Sequence, residues 1–163
     1  MRAYLCIALL LWSSCFSAAL RAADEYSIKA TFVYRFAQFT QWPPPPRTQI
    51  RICLLEHPEL LAAFGQLSFE LDVKPINDTR MLENCDVLML GMSNRQALQE
   101  WRTALNGRPM LVVTDNAEAY RQLGMIQLLT SPDGINFQVN LERTKAHQLK
   151  LGSQLLKLAQ QVD

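Results

Sequence analysis

Asp115, His57 and the segment 91–94 are the parts of this sequence whose residue types and positions could support chemistry. Asp115 directly follows the apolar run 110–114, and open α/β sheets place ligand-binding residues at the carboxyl ends of their strands. The segment 91–94 follows another apolar run, so its backbone amides could bind an anion at the start of a helix. His57 lies in a loop beside Pro58 and could act as a base.

Each of the first two features also fits a plain helix cap. Glu118 lies three residues after Asp115, and Gln96 lies three residues after Ser93. This spacing is that of a capping box, in which two side chains satisfy free backbone amides at a helix start. We therefore expect Asp115 and Ser93 to cap the helices that follow them.

The sequence lacks the common catalytic motifs. It contains no Gly-x-Ser-x-Gly segment, no phosphate-binding glycine loop and no His-Glu-x-x-His metal site. His57 and His147 have no identifiable nucleophile or orienting carboxylate, so we interpret both as solvated side chains. The sequence therefore predicts a protein that is not an enzyme, and an exported hydrolase built on Asp115 and His57 is the weakest alternative.

Residues 1–22 are predicted to be a signal peptide, which directs the protein to the periplasm. Arg2 supplies the positive charge, residues 5–12 form the apolar region, and small residues follow it. That apolar region is too short to span a bilayer, which takes about 20 residues. Cleavage after Ala22 would leave residues 23–163 as one domain; cleavage after Ala19 or Ala23, or a lipid anchor on Cys15, are the alternatives.

The charge balance limits the kinds of partner. The 163 residues contain 16 Lys and Arg against 15 Asp and Glu, and removing Arg2 and Arg21 leaves 14 against 15, a net charge near −1. Such a balance predicts no electrostatic attraction to nucleic acid or to an anionic membrane. Another protein is therefore the expected partner.

Two of the four cysteines belong to the leader, which leaves Cys53 and Cys85. In an oxidising compartment we expect one disulfide between them. It would close a loop of 85 − 53 = 32 positions, which the chain-entropy model values at about 3–4 kcal/mol. Two buried thiols are the alternative. We expect no metal and no cofactor, because His57 and His147 show no ligand spacing.

Apolar runs of strand length alternate with helical patterns along the remaining sequence. Strands are predicted at residues 50–55, 73–76, 86–90, 110–114, 125–129 and 135–141. Helices are predicted at residues 25–42, 57–64, 94–105, in a segment ending at 122, and at 142–162. Pro75 restricts its strand to a sheet edge, and the turn signal at 131–134 makes a hairpin of the last two strands. The pattern predicts a single-domain α/β fold, a mostly parallel layered sheet with a C-terminal antiparallel hairpin and helices on both faces.

The opening helix carries two apolar arcs at helical spacing. One arc consists of Ile28, Phe32, Phe36 and Phe39. The other consists of Tyr26, Ala30, Val33, Tyr34 and Ala37.

The predicted closing helix is apolar over about half its circumference, which exceeds the ~100° stripe that packing on one core requires. The arc consists of Leu149, Leu151, Leu155, Leu156, Leu158, Ala159 and Val162. Gly152 lies within it, where the missing side chain permits another backbone to approach closely. The helix is either wedged between the sheet and a neighbouring helix, or the margin of the arc contacts a second chain.

Several segments occur in a characteristic order along the chain. They are IKATFVYRFAQF (28–39) with Trp42-Pro43, ICL (52–54), CDVL (85–88), GMI (124–126), FQVNL (137–141), LKL (149–151) and SQLLKLA (153–159). Together they resemble the YfiR-like family of periplasmic proteins over essentially the whole mature chain. Two departures from the family pattern are Leu123-Gly124 and Gly152-Ser153.

This resemblance implies a non-catalytic regulator that binds and represses the periplasmic sensor region of an inner-membrane diguanylate cyclase, and so controls cyclic di-GMP signalling. It implies further an outer-membrane lipoprotein that sequesters the repressor, a homodimer, and a disulfide between Cys53 and Cys85. A second cysteine pair found in some relatives is absent from this sequence.

The partner-binding residues that we predict come from the hairpin and the last helix. They are Phe137, Leu141, Leu149 and Leu156. The alternative function is a periplasmic small-molecule-binding module serving another membrane receptor. Trp42, Trp101 and Tyr120 would then line a pocket, although packing in the core is their ordinary use.

Overall fold

The computed structural model describes residues 24–68 and 71–163, and the predicted signal peptide lies outside these residues. The strands are β1 (Thr40–Gln41), β2 (Arg51–Leu55), β3 (Asp72–Ile76), β4 (Val87–Leu90), β5 (Leu111–Thr114), β6 (Ile126–Ser131), β7 (Gly134–Val139), β8 (Lys150–Leu151) and β9 (Gln161–Val162). The helices are α1 (24–38), α2 (Pro58–Gln66), α3 (Arg95–Leu105), α4 (Ala117–Gln122), α5 (Leu141–Ala146) and α6 (Ser153–Leu158), with a 3₁₀ helix at Thr79–Asn84.

The main sheet has the strand order β3-β2-β4-β5-β6-β7-β9. The pairs from β3 to β6 are parallel, and β6 and β7 form the antiparallel hairpin. The strands β4 and β5 are fully buried and apolar except for Thr114, as expected where helices cover both faces of a parallel sheet. The predicted α/β fold is therefore confirmed, including the edge position of β3, which contains Pro75.

The closing helix predicted at 142–162 is wrong. The segment instead forms α5, then β8, then α6, then β9. Gln148 adopts a left-handed conformation with φ 61°, and Leu149 is buried in the core. Leu149, Lys150 and Leu151 alternate buried, exposed, buried, which is the period of a strand and not of a helix.

The break in this segment allows β8 to pair with β1 at the end of α1. Leu151 lies opposite Thr40, and Gly152 N donates to Phe39 O at 2.8 Å. A Cβ on Gly152 would lie 3.3 Å from that carbonyl oxygen, so the small residue permits a close backbone approach. The predicted approach is found, and it joins two parts of the same chain.

The opening helix ends at residue 38 rather than at 42. Its C-terminal carbonyl at Phe36 accepts a hydrogen bond of 2.7 Å from Thr40 Oγ1, and the chain then turns into β1. Ala30, Val33 and Ala37 of its second apolar arc are buried in the core, together with Phe36 of the first arc.

Cys53 on β2 and Cys85, just before β4, form a disulfide with their Cα atoms 5.7 Å apart. Because β2 and β4 are hydrogen-bonded neighbours, the bond crosses adjacent strands within the core. The predicted disulfide is thus present in the fold.

Candidate partner-binding site

An apolar groove of about 520 Å³ runs between α1 and α6, with β7 beneath it. Its described wall consists of Ser27, Ile28, Thr31, Phe32, Arg35, Phe36, Phe39, Leu67, Phe137, Gln154, Leu155 and Leu158. Helix α1 supplies half of the described wall, because three members of its first apolar arc, Ile28, Phe32 and Phe36, line the groove. The volume of the groove falls in the size range of sites that bind ligands or short segments of a partner.

Three large apolar side chains of the wall remain exposed to solvent. Leu158 is 75% exposed, Ile28 43% and Phe39 36%. Leu158 is the last residue of α6, so no following turn of helix covers it. Apolar side chains that converge on one concave surface are typical of protein interaction sites.

Aromatic packing fixes the base of the groove. Phe137 lies 4.9 Å from Phe36 and 5.9 Å from Phe32 between ring centroids, and the rings are tilted against one another. This geometry is the favourable one for aromatic pairs. Phe36 and Phe137 are buried, so the groove has a rigid floor before any partner arrives.

Arg35 is the charged member of the described wall. Its guanidinium lies 5.9 Å from the ring centre of Tyr34 and donates to Gln38 Oε1 at 2.9 Å. Both contacts are to residues of the same helix.

The four predicted partner-binding residues are not brought together. Phe137 forms part of the floor of the groove and is 2% exposed, and Leu149 is 1% exposed within the core. Leu141 and Leu156 are half-buried and lie outside the described wall. Trp42, Trp101 and Tyr120 also lie outside it. Trp101 and Tyr120 are buried, and Trp42 packs against the core.

The residues that sequence reasoning missed are Ile28, Phe39 and Leu158. The signal for two of them was the arc of α1, whose spacing identifies an apolar face without saying what covers it. Exposed apolar surface is therefore present both in the last segment, where the sequence suggested it, through Leu158 of α6, and on the opening helix and the residue that follows it, through Ile28 and Phe39.

A polar cluster lies elsewhere in the fold, at the carboxyl ends of the parallel strands. Lys29 of α1 binds Glu25 at 2.8 Å and Asp115 at 2.9 Å. Asp115 follows β5, and its Oδ1 lies 3.5 Å from Nε2 of His57, which follows β2. Gly91, which follows β4, makes room for the imidazole, because a Cβ there would lie 2.9 Å from the ring.

The strand order explains why these residues meet. The chain leaves β2 toward β3 on one side and leaves β4 toward β5 on the other, so the crevice between β2 and β4 is the topological switch point of the sheet. Open α/β sheets bind ligands at this crevice. Here the side chain of Lys29, which is only 7% exposed, reaches Asp115 at the rim of this crevice.

The two capping predictions are wrong by one residue. Asn94 caps α3 and Asn116 caps α4, each accepting hydrogen bonds from two backbone amides. Asp115 is therefore free to bind Lys29, a contact that the helix signal alone did not indicate. His57 is largely buried rather than solvated.

Burial and charge act in opposite directions within the polar cluster. Burial lowers the pKa of His57, and the opposing charge of Asp115 only partly offsets this. Burial also lowers the pKa of Lys29, but its hydrogen bonds to Glu25 and Asp115 outweigh burial and raise the pKa overall. The cluster thus contains a charged lysine between two carboxylates beside a neutral histidine, an arrangement that anchors α1 to the sheet.

Within residues 24–68 and 71–163, no group of three His, Cys, Asp or Glu side chains could hold a metal ion. In the same part of the chain, no helix is long and apolar enough to cross a membrane.

Comparison with known proteins identifies a family and similar solved structures. A family model described as YfiR/HmsC-like matches residues 26–160. No curated protein matches the chain significantly. A solved structure, the ABC domain from Streptococcus pneumonia in complex with L-Trp, matches with a TM-score of 0.53 at 9% identity, over 70% of this chain and 56% of that one. The chain therefore spans little more than half the length of that protein, and a likeness at this identity shows the fold alone.

Proposed function

The chain belongs to the YfiR/HmsC-like family, and from this premise we propose that it represses an inner-membrane diguanylate cyclase by binding the cyclase's periplasmic sensor region. The family is one of periplasmic regulators of cyclic di-GMP signalling. In this proposal the protein acts by occupying a partner surface, and it carries out no reaction of its own.

The observation that carries the proposal is the groove between α1 and α6. Its wall is almost entirely apolar, and Ile28, Phe39 and Leu158 remain exposed although they line a concave surface. An amphipathic helix of the partner would bury these side chains in the manner of other helix-in-groove complexes. Of the four residues predicted from sequence, Phe137 supports this site from below. Leu149 lies in the core, outside the described wall of the groove.

Leu158 offers the sharpest test of the groove. Burying a leucine side chain contributes about 1.5–3 kcal/mol, and three quarters of this one is available. We expect Leu158→Ser to weaken binding of the cyclase's purified periplasmic region by about 1–2 kcal/mol, a ~5- to 30-fold change in Kd. Isothermal titration calorimetry would measure it.

Met81→Ser is the matched control, because Met81 is 40% exposed but lies on the 3₁₀ helix, outside the described wall of the groove. Its Kd should equal that of the unmodified protein. Equal weakening by both substitutions would contradict the groove as the site. In cells, deletion of the protein should raise cyclic di-GMP, and an unchanged level would contradict the repressor role.

The proposal has three further features. Export through cleavage of residues 1–22 rests on the pattern of the leader sequence. A homodimer and sequestration by an outer-membrane lipoprotein rest on the family resemblance. Mass spectrometry of the periplasmic form would locate the cleavage site, and analytical ultracentrifugation would measure the oligomeric state.

The alternative function, binding of a small molecule for another membrane receptor, is favoured only by the volume of the groove, which suits a drug-sized ligand. A metabolite present at a free concentration of 100 times its Kd would add about 2.7 kcal/mol to the free energy of unfolding. A thermal-shift screen that finds such a metabolite, with no binding to the cyclase, would favour this alternative.

A further inference from the structure

A second cavity, of about 600 Å³, lies where α3, α4 and α5 end, and none of its described wall residues belongs to the described wall of the groove. Leu105, Val112 and Leu123 supply its apolar wall, and all three are buried. The remaining described wall residues are Arg102, Thr103, Asn106, Arg121, Gln122, Arg143 and His147. The described wall thus contains three arginines and a histidine and no acidic side chain.

Backbone carbonyls hold two of these guanidinium groups in place. Arg143 donates to the carbonyl oxygens of Tyr120 at 2.8 Å, of Arg121 at 3.1 Å and of Gly124. Arg102 donates from Nη2 to the carbonyl oxygen of Gln122 at 2.9 Å. An arginine has five N–H donors, so each group keeps donors that these bonds do not use.

The charge of these two arginines is not balanced by a carboxylate. Arg121 pairs with Glu118, but neither Arg102 nor Arg143 forms an ion pair within residues 24–68 and 71–163. Burial lowers the pKa of Arg143, and the nearby charge of Arg102 lowers it further. By contrast, the ion-paired Arg51 and Arg80 have raised pKa values.

Helix dipoles offset only part of this charge. The C-terminal ends of α3, α4 and α5 contribute at most about half a negative charge each, and the effect falls off within one turn. Two guanidinium groups carry two full positive charges. A net positive potential therefore remains in the cavity, although the whole protein is close to neutral.

We propose that this cavity binds a small organic anion, with its carboxylate or phosphate group held by Arg102 and Arg143 and its apolar part against Leu105, Val112 and Leu123. The guanidinium fork matches the oxygen geometry of both groups, and carbonyl contacts already fix its orientation. The cavity volume lies within the 300–1,000 Å³ of typical small-molecule sites. This site is independent of the partner-binding groove and of the proposed repressor function.

Inorganic phosphate and citrate, titrated separately into the ¹⁵N-labelled protein at constant ionic strength, test the proposal. At concentrations up to about 10 mM, the general stabilising effect of such anions through surface exclusion is small. We expect saturable shifts of the backbone amides at residues 121–124 and of the side-chain Nε–H signals of Arg102 and Arg143. The anion with the lower Kd shows whether the site prefers phosphate or carboxylate.

Arg102→Gln is the primary variant, because Arg102 is exposed on α3 and its loss removes one bond to a carbonyl. We expect its Kd to rise at least 5-fold. Lys157→Gln, which removes an exposed charge on α6 outside the cavity wall, is the matched control and should leave the Kd unchanged. Arg143→Lys keeps the charge but loses the fork, and it should also weaken binding.

Three results would overturn the proposal. The first is the absence of saturable shifts with both anions. The second is equal weakening by Arg102→Gln and Lys157→Gln, which would indicate a general charge effect. The third is a set of shifts that saturates but maps away from residues 102, 121–124 and 143.

Discussion

Replacement of Lys29 by Met tests whether the polar cluster anchors α1 to the sheet. The ammonium group lies 2.8 Å from Glu25 and 2.9 Å from Asp115, and its side chain is 7% exposed. Methionine keeps the length and the apolar stem of the lysine and removes the charge. The carboxylate of Asp115, which is 21% exposed, would then lie beside His57 without a cationic partner.

The expected cost follows from how deeply the pair is buried. Removing one partner of a fully buried ion pair costs about 3–5 kcal/mol, whereas an exposed pair contributes about 0–1 kcal/mol. Because the carboxylates of Asp115 and Glu25 are 21% and 36% exposed, we expect an intermediate loss of about 2–3 kcal/mol. For a chain of this size that corresponds to a fall in Tm of roughly 6–12 °C.

Urea denaturation followed by circular dichroism would measure the loss in free energy of unfolding. Lys74→Met is the matched control, because Lys74 also pairs with an aspartate, Asp72 at 3.1 Å, but its side chain is 57% exposed. It should cost less than about 0.5 kcal/mol. The double variant with Asp115→Asn should recover part of the loss, since it removes the unpaired charge.

A second measurement separates the electrostatic account from a simple packing defect. The charge of Lys29 lowers the pKa of His57, so Lys29→Met should raise that pKa, which ¹H NMR titration would show. Similar losses of stability in Lys29→Met and Lys74→Met, or a His57 pKa that does not rise, would refute this reasoning.

Two further predictions concern the disulfide and the histidine. Changing Cys53 and Cys85 together to Ala should lower the free energy of unfolding by about 3–4 kcal/mol, and a reductant should destabilise the unmodified protein alone. Burial lowers the pKa of His57 from 6.5, so the unfolded chain binds this proton more readily. The stability that neutral His57 contributes is therefore present above about pH 7 and is lost as the pH falls through 6.5 toward the lower folded value. The free energy of unfolding, measured by denaturation at pH 7.5 and at pH 5, should differ less between the two pH values in His57→Gln than in the unmodified protein. An equal difference in the two proteins would contradict this account.

The layered α/β architecture could be predicted because its signals are local. The apolar runs Asp86–Leu90 and Met110–Thr114 are typical of buried parallel strands, and the turn at 131–134 defines the hairpin. The segment after Ala146 could not be predicted in the same way. Its leucines fit a helix as well as a short strand, and pairing with β1, which lies about 110 residues earlier in the chain, decides between them. Tertiary contacts override local propensity in such cases.

The polar cluster shows the same limit for the site. Asp115 and His57 could each be selected from the sequence as chemically capable groups that follow a strand, but nothing in the sequence distinguishes Lys29 from other residues of the predicted helix. The contact of Lys29 with Asp115 depends on the position of α1 over the carboxyl ends of the strands, which is a tertiary feature. The neighbouring Asn116 took the capping role that the spacing assigned to Asp115, because either residue can accept from the same amides.

Helix α1 connects these observations, because Ile28 and Lys29 are adjacent and serve opposite sides of it. Lys29 fixes the first turns to the sheet, the ring of Phe36 packs on Phe137, and Phe39 O accepts from Gly152 N at the other end. A helix held at both ends and in its middle presents the apolar wall of the groove in one orientation. Partner binding then requires little ordering of this helix, which lowers the entropic cost of association. Loss of Lys29 should accordingly weaken partner binding even though its side chain faces away from the groove.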